Sequence, residues 1–175
     1  MITLQELNVL NESEFVTLIG PIFEASPWIA KRTWPNRPFH DLDSLHGSLG
    51  QSMHKAKKEE KLALIRAHPD LAGRAARQGS LTPESTAEQA GAGLDQLTDE
   101  EIASFYLMNQ EYRARFGFPF VVCVGEHTKE SILTSFAARL ENDRERETET
   151  ALAEVCKIAR LRLYDLVVTP AEERA

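Results

Sequence analysis

Apolar residues in this chain return every three or four positions almost throughout and hardly ever every second one. That is the spacing of helices with a buried face, not of half-buried strands. One run reads otherwise. Residues 118–124, Phe-Pro-Phe-Val-Val-Cys-Val, are rich in β-formers, but the run is short and Pro119 cannot donate to a ladder. The spacing predicts helices over 13–24, 42–56, 59–67, 83–90, 99–116, 129–140 and 145–167. Several ends carry chemical markers. Thr82-Pro83-Glu84 offers a capping hydroxyl, proline at the first helical position and an early carboxylate, and Gly91 and Gly93 close that helix. Thr98 with Glu101 three residues on is a capping box, and Pro69 drives His68 out of helical geometry, so the helix before it stops there. Glycine, proline and serine are scattered among short connections, with no linker and no internal repeat. The expectation is an all-α fold: a single compact multi-helix domain over 1–175, with its core at about 13–167.

A chain of 175 residues is long enough to bury one full core. It holds 27 acidic and 20 basic residues, for a net charge of −7, and has no Lys/Arg cluster. That balance argues against nucleic acid or an anionic membrane as partner, while leaving room for a small anionic substrate held by a local cation. Cys123 and Cys156 lack C-x-x-C spacing and are expected to be ordinary buried thiols. No run approaches the 18 or so apolar residues of a membrane span. The start, Met1-Ile2-Thr3-Leu4-Gln5-Glu6, leads into no signal-peptide core, and the end, Glu172-Glu173-Arg174-Ala175, is not a peroxisomal address. A cytoplasmic protein is the expectation. The charge run 141–149 reads as a solvated helix entry.

P-loop, G-x-G-x-x-G, H-E-x-x-H and G-x-S-x-G motifs are all missing. His40, His46, His54, His68 and His127 have no metal-ligand spacing; His46 and His54, eight apart, lie about two turns from each other, so no metal site is expected. His68 differs in position, standing at a chain corner before Pro69-Asp70-Leu71-Ala72-Gly73. An imidazole there titrates near neutrality and suits proton transfer; the plainer alternative is a cap on its helix. Ser85, Glu88 and Gln89 fall at i, i+3 and i+4 and share one helix face, a polar wall able to bind a urea-like group, or else a surface helix facing water.

Leu152, Val155, Ala159, Arg162 and Leu166 follow 3-4-3-4 spacing, which puts Arg162 on an inward row where an unpaired charge is costly. Its guanidinium should meet a carboxylate of the protein or of a ligand, unless the head snorkels to water. Arg160 falls on a solvent-facing row. Asn109 and Tyr112 precede the apolar run 116–122, which reads as a pocket wall or as core filling, and Trp28 and Trp34 read as packing residues.

Taken in order, His68-Pro69-Asp70-Leu71-Ala72, Ser85-x-x-Glu88-Gln89 with Ala92-Gly93-Leu94, Asn109-x-x-Tyr112, the run Arg115-Phe116-Gly117-Phe118-Pro119-Phe120 and Leu161-Arg162-Leu163 resemble the 2-oxo-4-hydroxy-4-carboxy-5-ureidoimidazoline (OHCU) decarboxylase family of urate degradation. The resemblance implies an all-helical homodimer that converts OHCU to (S)-allantoin and carbon dioxide without a cofactor. It makes His68 the catalytic acid/base and Glu88 its partner. Ser85 and Gln89 would bind the ureido and ring groups, Arg162 the substrate oxygens, and the backbone around Phe120, Val121 and Val122 would complete the pocket, with Pro69 holding His68. Glu88 would either set the tautomer of His68 or disfavour the substrate carboxylate by like charge. The alternatives are a helical module that binds a ligand without turning it over, and a hydrolase or lyase acting on a related ureido compound.

Overall fold

A computed structural model describes residues 1–73 and 79–168. Its helices are α1 (Leu4–Val9), α2 (Glu12–Ile19), α3 (Trp28–Thr33), α4 (Leu42–His54), α5 (Lys58–Ala67), α6 (Pro83–Gly91), α7 (Asp99–Phe116), α8 (Lys129–Leu140) and α9 (Arg144–Leu166). The only strands among the described residues are two-residue pieces, β1 (Ile2–Thr3) and β2 (Val167–Val168), paired in parallel with Ile2 opposite Val167. The fold is all-α, as the periodicity requires. The segment Glu172 to Ala175 lies outside the described residues.

Most helices begin where a side chain satisfies an orphan N–H. Capping boxes open α1 (Thr3/Glu6), α2 (Asn11/Glu14), α4 (Asp41/Ser44), α7 (Thr98/Glu101) and α8 (Thr128/Ser131), and Thr82 caps α6 from ahead of Pro83. Gly117 closes α7 in the left-handed conformation, φ +76°.

The chain divides into two compact units, 1–64 with 156–175, and 65–155. In the first, α2 packs on α3 and α3 on α4 around Phe15, Ile19, Ile29, Leu45, Leu49 and Met53. The helix expected over 13–24 is shorter: α2 stops at Ile19 and a 3-10 turn, Gly20–Ile22, follows. Pro21 lacks the N–H that an α-helix would need there, and a Cβ at Gly20 would sit 3.2 Å from that of Pro27, so the chain turns in a tight corner. The tryptophans are only half-buried. Each carries a guanidinium over its ring, Arg32 on Trp28 at 4.6 Å and Arg37 on Trp34 at 4.1 Å, so they shield cations as much as they pack.

In the second unit α7 packs on α8 around an aromatic cluster. Tyr112 lies edge-on or tilted to Phe116, Phe118, Phe120 and Phe136, and Phe120 stacks on Phe136 at 3.7 Å. The β-rich run forms no strand. Residues 119–123 run as an irregular, fully buried segment into the 3-10 turn Val124–Glu126. Without a ladder its polar backbone must find partners elsewhere, and side chains supply two of them. Arg139 Nη1 donates to the Val121 carbonyl at 2.7 Å, and the Cys123 N–H donates to Glu154 Oε2 at 2.8 Å.

Candidate active site

His68 directly follows the last residue of α5, as Pro69 dictates, and is 7% exposed. Its N–H still closes a turn onto the Ile65 carbonyl at 3.2 Å. Beyond Pro69 the chain makes a sharp corner. Ala72 adopts φ +50°, a left-handed conformation rare for a residue with a Cβ, and a Cβ on Gly73 would lie 2.7 Å from that of Asp70, so only glycine fits there.

Three side chains hold this corner. Gln89 Oε1 accepts from the Ala72 N–H at 3.0 Å, while its Nε2 points to the Asp70 carbonyl at 3.5 Å. Asn109 Nδ2 donates to the Leu71 carbonyl at 2.9 Å. Arg113, one turn further along α7, donates from Nε to Asp70 Oδ1 at 2.8 Å. The strained backbone is therefore over-determined by α6 on one side and α7 on the other.

The polar face of α6 is turned inward: Ser85 and Gln89 are buried and Glu88 is half-buried. A surface helix facing water, one of the two readings of this spacing, is thereby excluded. Since Gln89 reaches residues 70 and 72, the α6 face that also bears Ser85 and Glu88 abuts the corner that begins at His68. A cavity of about 280 Å³ lies against the same helix, lined by Ala72, Thr86, Gln89 and a set of leucines and Ile102. It is mostly apolar and does not take in His68, Ser85 or Glu88.

Phe120, Val121 and Val122 are all buried. Among the described residues their N–H groups make no hydrogen bond within the chain. The segment is held from behind. Glu147, 0% exposed, accepts from Arg139 Nε at 2.7 Å, from Asn142 Nδ2 at 2.8 Å and from the Tyr112 hydroxyl. Burial, and then the donation to Glu147, push the Tyr112 phenol well above its usual range, so it stays a donor. Arg139 also stacks over the Phe120 ring at 4.3 Å. The charge run 141–149 is thus a solvated helix entry with one exception, Glu147. Glu147, Ala151, Glu154 and Ile158 follow 4-3-4 spacing on α9, so the inward-row argument that singles out Arg162 also finds both buried acids.

Arg162 belongs to the other compact unit and is 6% exposed, which rules out a head in water. Its Nη2 meets Glu24 Oε1 at 3.1 Å, and Nη1 donates to the Ile22 carbonyl at 3.3 Å. Arg160 is exposed and pairs with Asp43 at 3.0 Å, as its row predicts. Other polar residues have local tasks: His46 contacts the Cys156 carbonyl at 2.8 Å and His127 contacts Ser131. Cys123 is buried and Cys156 half-buried, both as free thiols. No helix among the described residues is long and apolar enough to cross a membrane.

Comparison with known proteins identifies the family. The profile of the OHCU decarboxylase family matches residues 8–164. A 2-oxo-4-hydroxy-4-carboxy-5-ureidoimidazoline decarboxylase of Halalkalicoccus jeotgali is 40% identical over 167 residues, covering 95% of this chain and 93% of its own length. Its counterpart in Haloferax volcanii is 41% identical over 164 residues, 94% of this chain and 95% of its own. Among solved structures, that of an (S)-allantoin synthase superposes with a TM-score of 0.76 at 28% identity, over 95% of this chain and 54% of that one. With the match spanning both compact units and every motif from His68 to Arg162, the chain belongs to the OHCU decarboxylase family.

Proposed function

We infer that this protein decarboxylates OHCU to (S)-allantoin and carbon dioxide, the last step from urate to allantoin. Family membership supports the reaction. The observation that supports the site is the contact of Gln89 with residues 70 and 72, which sets α6, the helix that bears Ser85 and Glu88, against the corner that follows His68.

The substrate needs little chemical help. The carbon that loses carbon dioxide also bears a hydroxyl and adjoins a ring C=N. The electron pair of the breaking C–C bond enters that imine, whose nitrogen is protonated. The hydroxyl then gives up its proton and becomes the carbonyl of the product, while the carbon bearing the ureido group gains one. One proton is consumed overall as the carboxylate leaves. The protein has to orient the carboxylate, move protons and choose a face.

In this reading His68 takes the hydroxyl proton or delivers the one that reaches carbon, and which face it serves decides the (S) product. Glu88 orients His68 or repels the substrate carboxylate. Ser85 and the N–H groups of Phe120, Val121 and Val122 receive the polar rim of the substrate, and Pro69 fixes the direction of His68. Gln89, whose carboxamide already grips residues 70 and 72, shapes the pocket as well as lining it. Arg162 enters as a ligand for substrate oxygens on the strength of its motif, Leu161-Arg162-Leu163. The same reading makes the protein a cytoplasmic homodimer that uses neither metal nor coenzyme.

The test generates OHCU in place from urate with the two preceding enzymes and then adds this protein after exhaustive chelation. Carbon dioxide release faster than the spontaneous decay, with optically active allantoin, is the expected result. Racemic product at the uncatalysed rate overturns the reading, and binding without carbon dioxide release assigns the chain to a ligand-holding module instead.

A further inference from the structure

We propose that Asn109 is a positioning residue for His68: its amide N–H holds the Leu71 carbonyl and so fixes the left-handed corner that aims the imidazole. The proposal rests on the reading of His68 as the proton-transfer group. Three observations carry it. The first is the grip itself, Nδ2 to the Leu71 carbonyl at 2.9 Å, two peptide units beyond Pro69. The second is the strain it restrains, since Ala72 sits at φ +50° and a corner of that kind relaxes unless its neighbours oppose it.

The third is what the chain tolerates to keep the grip. Asn109 is 5% exposed, and its Oδ1 is buried with no hydrogen-bond partner among the described residues. The amide cannot be turned to relieve this, because Nδ2 must face a carbonyl. A buried acceptor left unpaired is unfavourable, and an apolar side chain of similar volume would remove it. The donor is therefore retained for what it does to residues 70–72. Arg113, at i+4 on the same face of α7, grips Asp70 beside it, so one helix face holds two successive residues of the corner.

Two variants of the full chain test this, Asn109→Asp and Asn109→Leu. Asp matches Asn in shape but sets a carboxylate oxygen against the Leu71 carbonyl. The ionisable and charged groups at the same corner are His68, Asp70, Arg113 and, from α6, Glu88. Both variants should fold with wild-type helical content, lower kcat at least about tenfold and leave KM within about twofold, as expected for a misaimed catalytic group rather than a lost substrate contact. The ratio of Asn109→Asp to wild-type kcat should rise as pH falls from about 8 to about 5.5, because a protonated carboxyl regains the donor, whereas the ratio for Asn109→Leu stays flat. Wild-type kcat in a folded Asn109→Asp chain, a loss confined to KM, or parallel pH ratios in the two variants overturns the proposal. If Asn109→Leu does not fold, the isosteric Asp variant decides alone. Failure of the wild-type chain to decarboxylate OHCU sinks the functional reading instead, so the two failures are distinguishable.

Discussion

Removing the carboxylate of Glu147 should be among the most destabilising single changes available in this chain. In the Glu147→Leu variant the Arg139 guanidinium keeps its place beneath Phe120 and beside the Val121 carbonyl but loses the only anion it contacts among the described residues. The Tyr112 hydroxyl and Asn142 Nδ2 lose their acceptor at the same time. Breaking one side of a buried ion pair costs about 3–5 kcal/mol. That is at least about a fifth of the roughly 5–15 kcal/mol that stabilises a typical domain. At about 2–4 °C per kcal/mol for a chain of this size, Tm should fall by roughly 6–20 °C.

Urea denaturation followed by far-ultraviolet circular dichroism gives the free energy, and a thermal scan gives the shift. The reasoning carries a second, sharper consequence. Adding Arg139→Met to Glu147→Leu removes the stranded charge, so the double variant should recover at least about 1 kcal/mol even though it gives up the bond to Val121. A loss below about 1 kcal/mol in the single variant, or a double variant that is additively worse, would refute the argument.

Three further outcomes are expected. His68→Asn should lower kcat by at least about 100-fold while the helical signal is unchanged, and retained turnover would remove His68 from proton transfer. Arg162→Lys should raise KM more than it lowers kcat, since an ammonium cannot reproduce the forked contact, and an unchanged KM would make Arg162 a structural group that holds Glu24 and the Ile22 carbonyl. Burial pushes the Cys156 thiol up to about 11 from 9.0, so it resists ionising in the folded chain. Its stabilising effect is complete below pH 9 and is lost as pH rises towards 11, where the unfolded thiol is already ionised and the folded one is not. Alkylation of Cys156 at pH 8 should accordingly run at least about tenfold slower in the folded than in the unfolded chain, and equal rates would contradict the burial.

How much of this was legible beforehand varies from element to element. α6, α7 and α8 announce themselves through Thr82-Pro83, the Thr98/Glu101 capping box and regular apolar spacing, because caps and periodicity are local and act within one turn. The six-residue helices α1 and α3 were not predicted, since at that length neighbours rather than propensity decide whether a helix forms. The run 118–124 reads as β-rich, but β-propensity expresses a fit to half-buried pleated surface, and here the aromatic cluster and Arg139 supply the burial without a sheet.

The candidate site divides along the same line. His68 was legible because Pro69 acts on its nearest neighbour, and the α6 triad because i, i+3 and i+4 share a face in any helix. That Arg162 lies inward followed from spacing as well, but that its anion is Glu24, 138 positions away, did not. Nor did the engagement of Gln89 and Asn109 with the backbone of residues 70–72, at separations of 17 to 38 positions.

By itself, then, the sequence determined the all-α class, the starts of α6, α7 and α8 and the inward row on which Arg162 falls, since each of these follows from forces reaching no further than a turn. The partners of those inward groups were decided only by the tertiary structure. A buried charge or amide requires some counterpart, and which one it meets depends on how distant segments pack. The choices made here are Glu147 for Arg139, Glu24 for Arg162 and the Leu71 carbonyl for Asn109, and the last of them ties α7 to the corner that follows His68.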